Sequence, residues 1–351
     1  MAKPKPLPKQ IEESAKAAPQ QFKEEVSWRE TISTGSLLLD LAISGGRTRY
    51  GGLPGGIVVE ISGPPGSGKT TLLAETVGSA QRAGGEARIK DPEARLDPDY
   101  CRLMGVRFDP EQYSQPDTVT DVIEKIIGPL ETKGNKTQRN WDKAWNPDPA
   151  HINVEGVDSL AALSTRMEME QGDKMGQRRA KEFSEGLRVI ARHIKQKNIL
   201  LLCTNQTRTD SDTPGGMAIK FYASVRVKLS FKDKIKSGDH VVGKLFEAWV
   251  AKNSLDIEWR TAPIRLIFGY GIDDLGANLQ WLKDQGAFVH PTDPAKKVGY
   301  VLGDKNFQGL QAAISYAEEQ NLEPAIREQV VALWHRLETE ARPKRKEKVR
   351  G

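Results

Sequence analysis

The chain is poor in cysteine, in clustered histidine and in long apolar runs, and each shortage removes a class of protein. Its 351 residues include only Cys101 and Cys203. Two cysteines cannot build a disulfide framework, so a reducing, cytoplasmic setting is expected. The five histidines, His151, His193, His240, His290 and His335, are scattered and show no metal-ligand spacing. The apolar runs fall far short of a bilayer's thickness. The opening "MAKPKPLPKQ" has charge but no apolar h-region, so neither a signal peptide nor a membrane partner is expected. What is present is a hydrophobic content of 38%, sufficient for a packed core, and a net charge of +5. That charge is compatible with a polyanionic partner but does not by itself indicate one.

The most specific stretch is "ISGPPGSGKTTLL", Ile61 to Leu73. Gly63, Gly66, Gly68, Lys69 and Thr70 fit G-x-x-x-x-G-K-[ST], with Pro64, Pro65, Ser67 and Thr71 completing the loop. An apolar, β-branched segment, "GIVVEIS", precedes it. After it, Leu72, Leu73, Val77 and Ala80 recur at helical spacing. Strand, glycine loop and helix are the context this motif requires. Glycines let backbone N–H groups close around phosphates, and the helix N-terminus adds partial positive charge. Lys69 reaches the phosphates, and the Thr70 hydroxyl ligates magnesium. The expected ligands are ATP and Mg2+.

Hydrolysis needs more carboxylates. "HINVEGVDSLAAL" offers Asp158 at a strand end, and "EARIKDPEARLDPDY" offers Glu93 just after another strand. "NILLLCTNQ" ends in Asn205 and Gln206, polar groups placed to sense a γ-phosphate. In an open parallel sheet, ligands bind at the carboxyl ends of strands, where all these residues sit. Two further polar residues, Lys90 and Glu155, stand three positions before Glu93 and Asp158 in strands that should be buried. If those strands are neighbours in register, the two charges should pair, with Arg88 helping.

Four parts are expected. Residues 1–27 are rich in Pro, Lys, Glu, Gln and Ala; residues 28–270 alternate strand and helix patterns. Residues 271–335 read as a small α+β unit, and 336–351 as a basic tail. The fold class is therefore α/β, with a mainly parallel sheet flanked by helices and a smaller C-terminal domain. "GNKTQRNWDKAWNPDPA" reads as an insertion, in which Lys133, Lys136, Arg139 and Lys143 interleave with Trp141 and Trp145. It is either a nucleic-acid contact or a surface loop pinned by its tryptophans.

Beyond the phosphate loop, "ETISTGSLLLDLAISGG", "LDPDYCRLMGV", "SQPDT", "VDSLAAL", "NQTR" and "GGMAIKFYASVR" occur in an order that resembles the bacterial RecA-type recombinases. The likeness covers roughly residues 30–270. It implies an ATPase core with an N-terminal oligomerisation segment, assembling as a helical homo-oligomeric filament on single-stranded DNA and pairing it with double-stranded DNA. It implies Lys69, Glu93 and Gln206 as catalytic residues. Glu93 would activate water, and Gln206 would link the γ-phosphate to a second DNA loop. It implies Asp97 and Tyr100 at the adenine, Asp158 with Thr70 at magnesium, and Lys252 reaching a neighbour's ATP. Met175, Gly176, Arg178 and Arg179 fall at a first DNA loop. Arg208, Gly215, Gly216, Lys220 and Arg226 flank or end the second. The second loop, "TRTDSDTPGG", is shorter than the family's usual loop, and Ser254 replaces an expected second lysine. Two other readings stay open: a ring-helicase-like or repair motor on the same core, and a DNA-binding regulatory relative with little turnover.

Overall fold

The structure is a computed structural model in which the described residues are 30–165, 176–207, 216–289 and 298–343. The N-terminal segment, Met175, Arg208, Gly215 and the end of the basic tail lie outside them. The described residues form two compact units that divide between Asp273 and Asp274.

The larger unit is built on a nine-stranded sheet. Six of its strands run parallel in the order β3 (Tyr113–Ser114), β2 (Ala87–Lys90), β6 (Asn153–Val157), β7 (Ile199–Gln206), β1 (Val58–Gly63) and β8 (Val225–Ser237). β1 and β6 are buried at every residue, and β7 at all but Gln206. Both faces are covered, as a parallel sheet requires. One face packs α4 (Val119–Ile127), α5 (Gly176–Gln196) and α6 (Gly216–Tyr222) onto Leu201, Cys203 and Val157. On the other, Gly156, one residue out of phase with Val157, lies against Leu73 of α2 (Lys69–Arg82). Between these elements come α1 (Leu37–Ser44), capped by Ser36, and α3 (Pro98–Leu103), capped by Asp97.

The strand–helix alternation expected as far as residue 270 stops earlier. After β8 the chain doubles back through β9 (His240–Asn253), β10 (Thr261–Ile267) and β11 (Gly271–Ile272), all antiparallel. Gly238, at φ 58°, supplies the left-handed residue of the β8–β9 turn. A hairpin needs no crossover helix, so the helical pattern lapses there.

The insertion is a hairpin, β4 (Leu130–Lys133) and β5 (Lys136–Arg139), followed by a turn of 3-10 helix. Trp145 pins it. The indole Nε1 donates to Glu86 at 3.2 Å, its carbonyl lies 2.8 Å from His193 Nε2, and the Arg88 guanidinium sits 4.5 Å from its ring centroid. Trp141 remains exposed.

The smaller unit comprises α7 (Asp274–Asp284), a two-stranded ribbon of β12 (Tyr300–Leu302) and β13 (Lys305–Phe307), α8 (Leu310–Glu319) and α9 (Glu323–Glu340). Leu279, Leu282, Ala313, Ala317 and Val330 form its core. α9 runs on to Glu340, so the boundary drawn at 336 falls inside a helix. Among the described residues no helix is long and apolar enough to cross a membrane.

Lys90 and Glu155 do meet inside the sheet. β2 and β6 are neighbours with Arg88 opposite Glu155. Lys90 Nζ is 3.5 Å from Glu155 Oε1. Arg88 Nε is 3.0 Å from Oε2 but without hydrogen-bond alignment, so that contact is ionic. Burial lowers the Lys90 pKa, and the Glu155 charge opposes that shift. Glu155→Ala strands this ammonium in the interior and should cost roughly 3–5 kcal/mol in urea unfolding. Lys90→Met combined with Glu155→Leu should recover most of the loss. A Glu155→Ala variant as stable as the parent would show that the pair carries no such load.

Candidate nucleotide and DNA-coupling site

The phosphate loop springs from the end of β1. A Cβ on Gly63 would lie 2.7 Å from Ser67 Oγ and 2.9 Å from the Leu229 carbonyl, so only glycine fits between the loop and β8. Gly68, at φ 80°, turns the chain into α2, whose free N–H groups open at the loop. Lys69 is buried and curls back, its Nζ donating to the Gly63 carbonyl at 3.1 Å and the Pro64 carbonyl at 2.8 Å. Burial lowers its pKa, while Asp158 and Glu93 pull it up.

Beside it, the Thr70 hydroxyl donates to Asp158 Oδ2 at 2.6 Å, and Thr204 donates to the other carboxylate oxygen. Burial raises the Asp158 pKa, and these two hydrogen bonds work against it. A hydroxyl and a carboxylate this close form a hard oxygen pair of the kind magnesium takes, with its remaining ligands from phosphate and water. Among the described residues no cluster of three or more His, Cys, Asp or Glu offers a dedicated metal cage.

Glu93 follows β2 and lies near the Thr70–Asp158 pair and Lys69. Its Oε1 accepts from Ser159 Oγ at 2.5 Å and from Gln206 Nε2 at 3.0 Å. Its Oε2 faces the exposed Arg95 at 3.4 Å. Gln206 is the register partner of Gly63, so it stands next to the mouth of the phosphate loop. Tyr100 shares a 2.6 Å hydrogen bond with Thr71, and burial raises its phenol pKa. The Asp97 carboxylate accepts from Asp99 N at 2.9 Å, as the cap of α3. Lys69, Thr70, Thr71, Glu93, Tyr100, Asp158 and Gln206 therefore gather at the carboxyl ends of the central strands.

The remaining expected residues distribute differently. Gly176 opens α5, with Arg178 and Arg179 in its first turn, and Gly216 opens α6. Lys252 donates to the Lys220 and Phe221 carbonyls at 3.0 and 2.9 Å, closing the C-terminus of α6 within the same chain. Arg226 requires a correction. It was expected at DNA, but its Nε lies 2.6 Å from Glu60, which is completely buried, and its side chain is 12% exposed. That contact engages the guanidinium's Nε inside the sheet and gives Arg226 a structural partner that the sequence reading did not anticipate.

Four site residues escaped the sequence reading. Ser159 and Thr204 hold Glu93 and Asp158, and Lys244 of β9 donates to the Gly66 carbonyl at 3.3 Å. Glu60 is the fourth. Thr204 had a findable signal, since it lies two residues before Gln206 on the same strand face. The others depend on strand order, which no local pattern reports.

The family model described as the RecA N-terminal domain matches residues 10–135 and 146–273. The gap between the two matched segments falls in the insertion. Protein RecA from Methylococcus capsulatus is 35% identical over 324 residues, spanning 86% of this chain and 84% of that protein. A crystal structure of the RadB recombinase aligns with a TM-score of 0.45 and 21% identity, over 69% of this chain and 98% of that one. A family match that takes in every strand of the nine-stranded sheet, and a relative alike over most of both chains, place this protein in the RecA-type recombinase family.

Proposed function

We propose that this recombinase is a DNA-dependent ATPase that assembles as a filament on single-stranded DNA and uses ATP to set its grip on the strand. The observation that carries this reading is the 3.0 Å contact between Gln206 and Glu93. It ties the carboxylate suited to activating water to the residue at the root of the second loop.

The residues present divide the work as follows. The loop N–H groups and Lys69 bind the β- and γ-phosphates, with Lys69 exchanging its carbonyl partners for phosphate oxygens. Thr70 and Asp158 would hold magnesium, which when bound neutralises phosphate charge. Tyr100, held beside the loop by Thr71, is the candidate for contact with the adenine. Glu93 takes the proton of the attacking water, and Ser159 keeps the carboxylate oriented. A γ-phosphate that accepts from the Gln206 amide competes with Glu93 for it. That exchange frees a lone pair on the base and moves the root of the DNA loop in the same step. Differential contact of this kind is what a ligand-driven switch requires. The flanking cation for DNA is Arg208, with Lys220 after the loop. Lys252 is the candidate for contact with a neighbour's nucleotide.

Electron microscopy with single-stranded DNA and ATP should show helical filaments, and the same protein should exchange strands. Closed rings would favour a ring-motor reading instead. Glu93→Gln should lower phosphate release by about 10²–10⁴-fold, the usual worth of a general base, while ATP-dependent DNA binding persists. Normal turnover in that variant would remove Glu93 from the mechanism. Gln206→Ala should bind ATP but lose the ATP-induced rise in DNA affinity, read by fluorescence anisotropy of a labelled oligonucleotide. A full rise in that variant would mean that the phosphate is not sensed through this loop.

A further inference from the structure

Glu60 lies in the middle of β1, three residues before Gly63, and is completely buried. Its carboxylate bridges both neighbouring strands. Oε2 is 2.6 Å from Arg226 Nε on β8, and Oε1 accepts from Asn205 Nδ2 on β7 at 2.9 Å. Asn205 passes the constraint on, since its Oδ1 accepts from the Gln206 backbone N–H at 3.0 Å. One side chain thus ties the strand that ends in the phosphate loop to both sides of the segment between Gln206 and Arg226, which contains the second loop and α6. The frame extends one strand further. Lys252 is the register partner of Arg226 and closes the C-terminus of α6 through the Lys220 and Phe221 carbonyls.

Stability alone does not account for this arrangement. The interior of a parallel sheet is normally apolar. A buried ion pair is commonly no better than well-packed hydrophobic residues of the same volume, because desolvation offsets the attraction. A charge placed here fixes geometry more sharply than an apolar contact, since an ion pair with hydrogen bonds has one good arrangement and hydrophobic packing has many.

We propose that Glu60 is a positioning residue for the coupling of ATP to DNA. It holds the Asn205–Gln206 peptide and the start of β8 in one relation to the phosphate loop. A displacement at Gln206 is then passed to the loop and α6 instead of being absorbed by slack in the sheet. This rests on the switch reading given above.

The test uses the full chain and two variants, Glu60→Gln and the double substitution Glu60→Met with Arg226→Met. Three quantities are read: thermal unfolding, affinity for a fluorescent ATP analogue without DNA, and affinity for a labelled single-stranded oligonucleotide with and without ATP. Nucleotide affinity should stay close to the parent in the double variant, which should remain folded but unfold somewhat earlier because Asn205 Nδ2 loses the Glu60 acceptor. The ATP-induced gain in DNA affinity should fall about tenfold in both variants, within the range usual for coupling between two sites. A folded double variant that keeps the parent's gain would show that the pair is only structural and overturn the inference. Should that variant fail to fold, the isosteric Glu60→Gln decides by the same readout. A parent protein without any ATP-induced gain would overturn the switch reading and this inference with it. A gain present in the parent and retained in the variants overturns this inference alone.

Discussion

The side-by-side register of β6, β7 and β1 is the constraint on which the site depends. Gly63 stands opposite Gln206, and Val157 stands opposite Cys203. β1 and β7 therefore finish level with each other while β6 stops three residues earlier, and the phosphate loop, Gln206 and Asp158 meet at these strand ends. β2 adds Glu93 from the far side of β6. A slip of one residue in any of these pairings turns a strand's side chains to the opposite face. Gln206 would leave Glu93, and Glu60 would leave both Asn205 and Arg226.

Apolar packing is a poor guardian of that register. "VVEISG", "NVEGV" and "ILLLCTNQ" are buried on both faces, so a one-residue slip exchanges one buried aliphatic side chain for another. The charged residues are not indifferent in this way. Glu60 has to meet Arg226, and Glu155 has to meet Arg88 and Lys90. A slipped strand leaves an uncompensated charge in the interior, at a cost of several kcal/mol. These ionic contacts fix β1 against β8 and β6 against β2, and the Glu60–Asn205 hydrogen bond fixes β1 against β7. Fixing register is the best-attested use of buried polar groups, and it is compatible with the positioning role inferred for Glu60.

Much of this was legible before the structure. The phosphate loop carries its own spacing, and Asp158 and Glu93 follow strongly apolar strands at the end where ligands bind. Lys90 and Glu155 announced themselves as charges out of place, each three residues before a site carboxylate. What stayed hidden depends on which strands become neighbours. Glu60 reads as an odd charge in "GIVVEIS", but only the insertion of β1 between β7 and β8 reveals its partners. Arg226 looked free for DNA for the same reason. Ser159 and Thr204 are common residues in common positions, and their value comes from the carboxylates that the fold brings to them. The antiparallel ribbon was missed because β8 is buried by alternation at its start and exposed beyond Ser230, a pattern that mixes two strand environments in one segment.

The charged groups of the site and Gln206 have partners within the protein, whereas Ser67 Oγ in the phosphate loop is buried without one. Lys69 holds the Gly63 and Pro64 carbonyls, Thr70 holds Asp158, and Glu93 holds Ser159 and Gln206. At Lys69, Thr70 and Gln206 phosphate or metal ligands would replace existing hydrogen bonds, and exchanges of that kind contribute little net free energy. The larger contribution comes from charge: a desolvated ammonium and a helix N-terminus facing phosphate in a site of low polarity. The Gln206 amide is held by a single carboxylate oxygen that Ser159 also shares, so it is readily exchanged. Gln206 also leads directly into the second loop. Lys69 and Thr70 lie inside α2, whereas Gln206 is the last residue of β7, so under the proposed switch only an exchange at Gln206 acts on the chain that follows it.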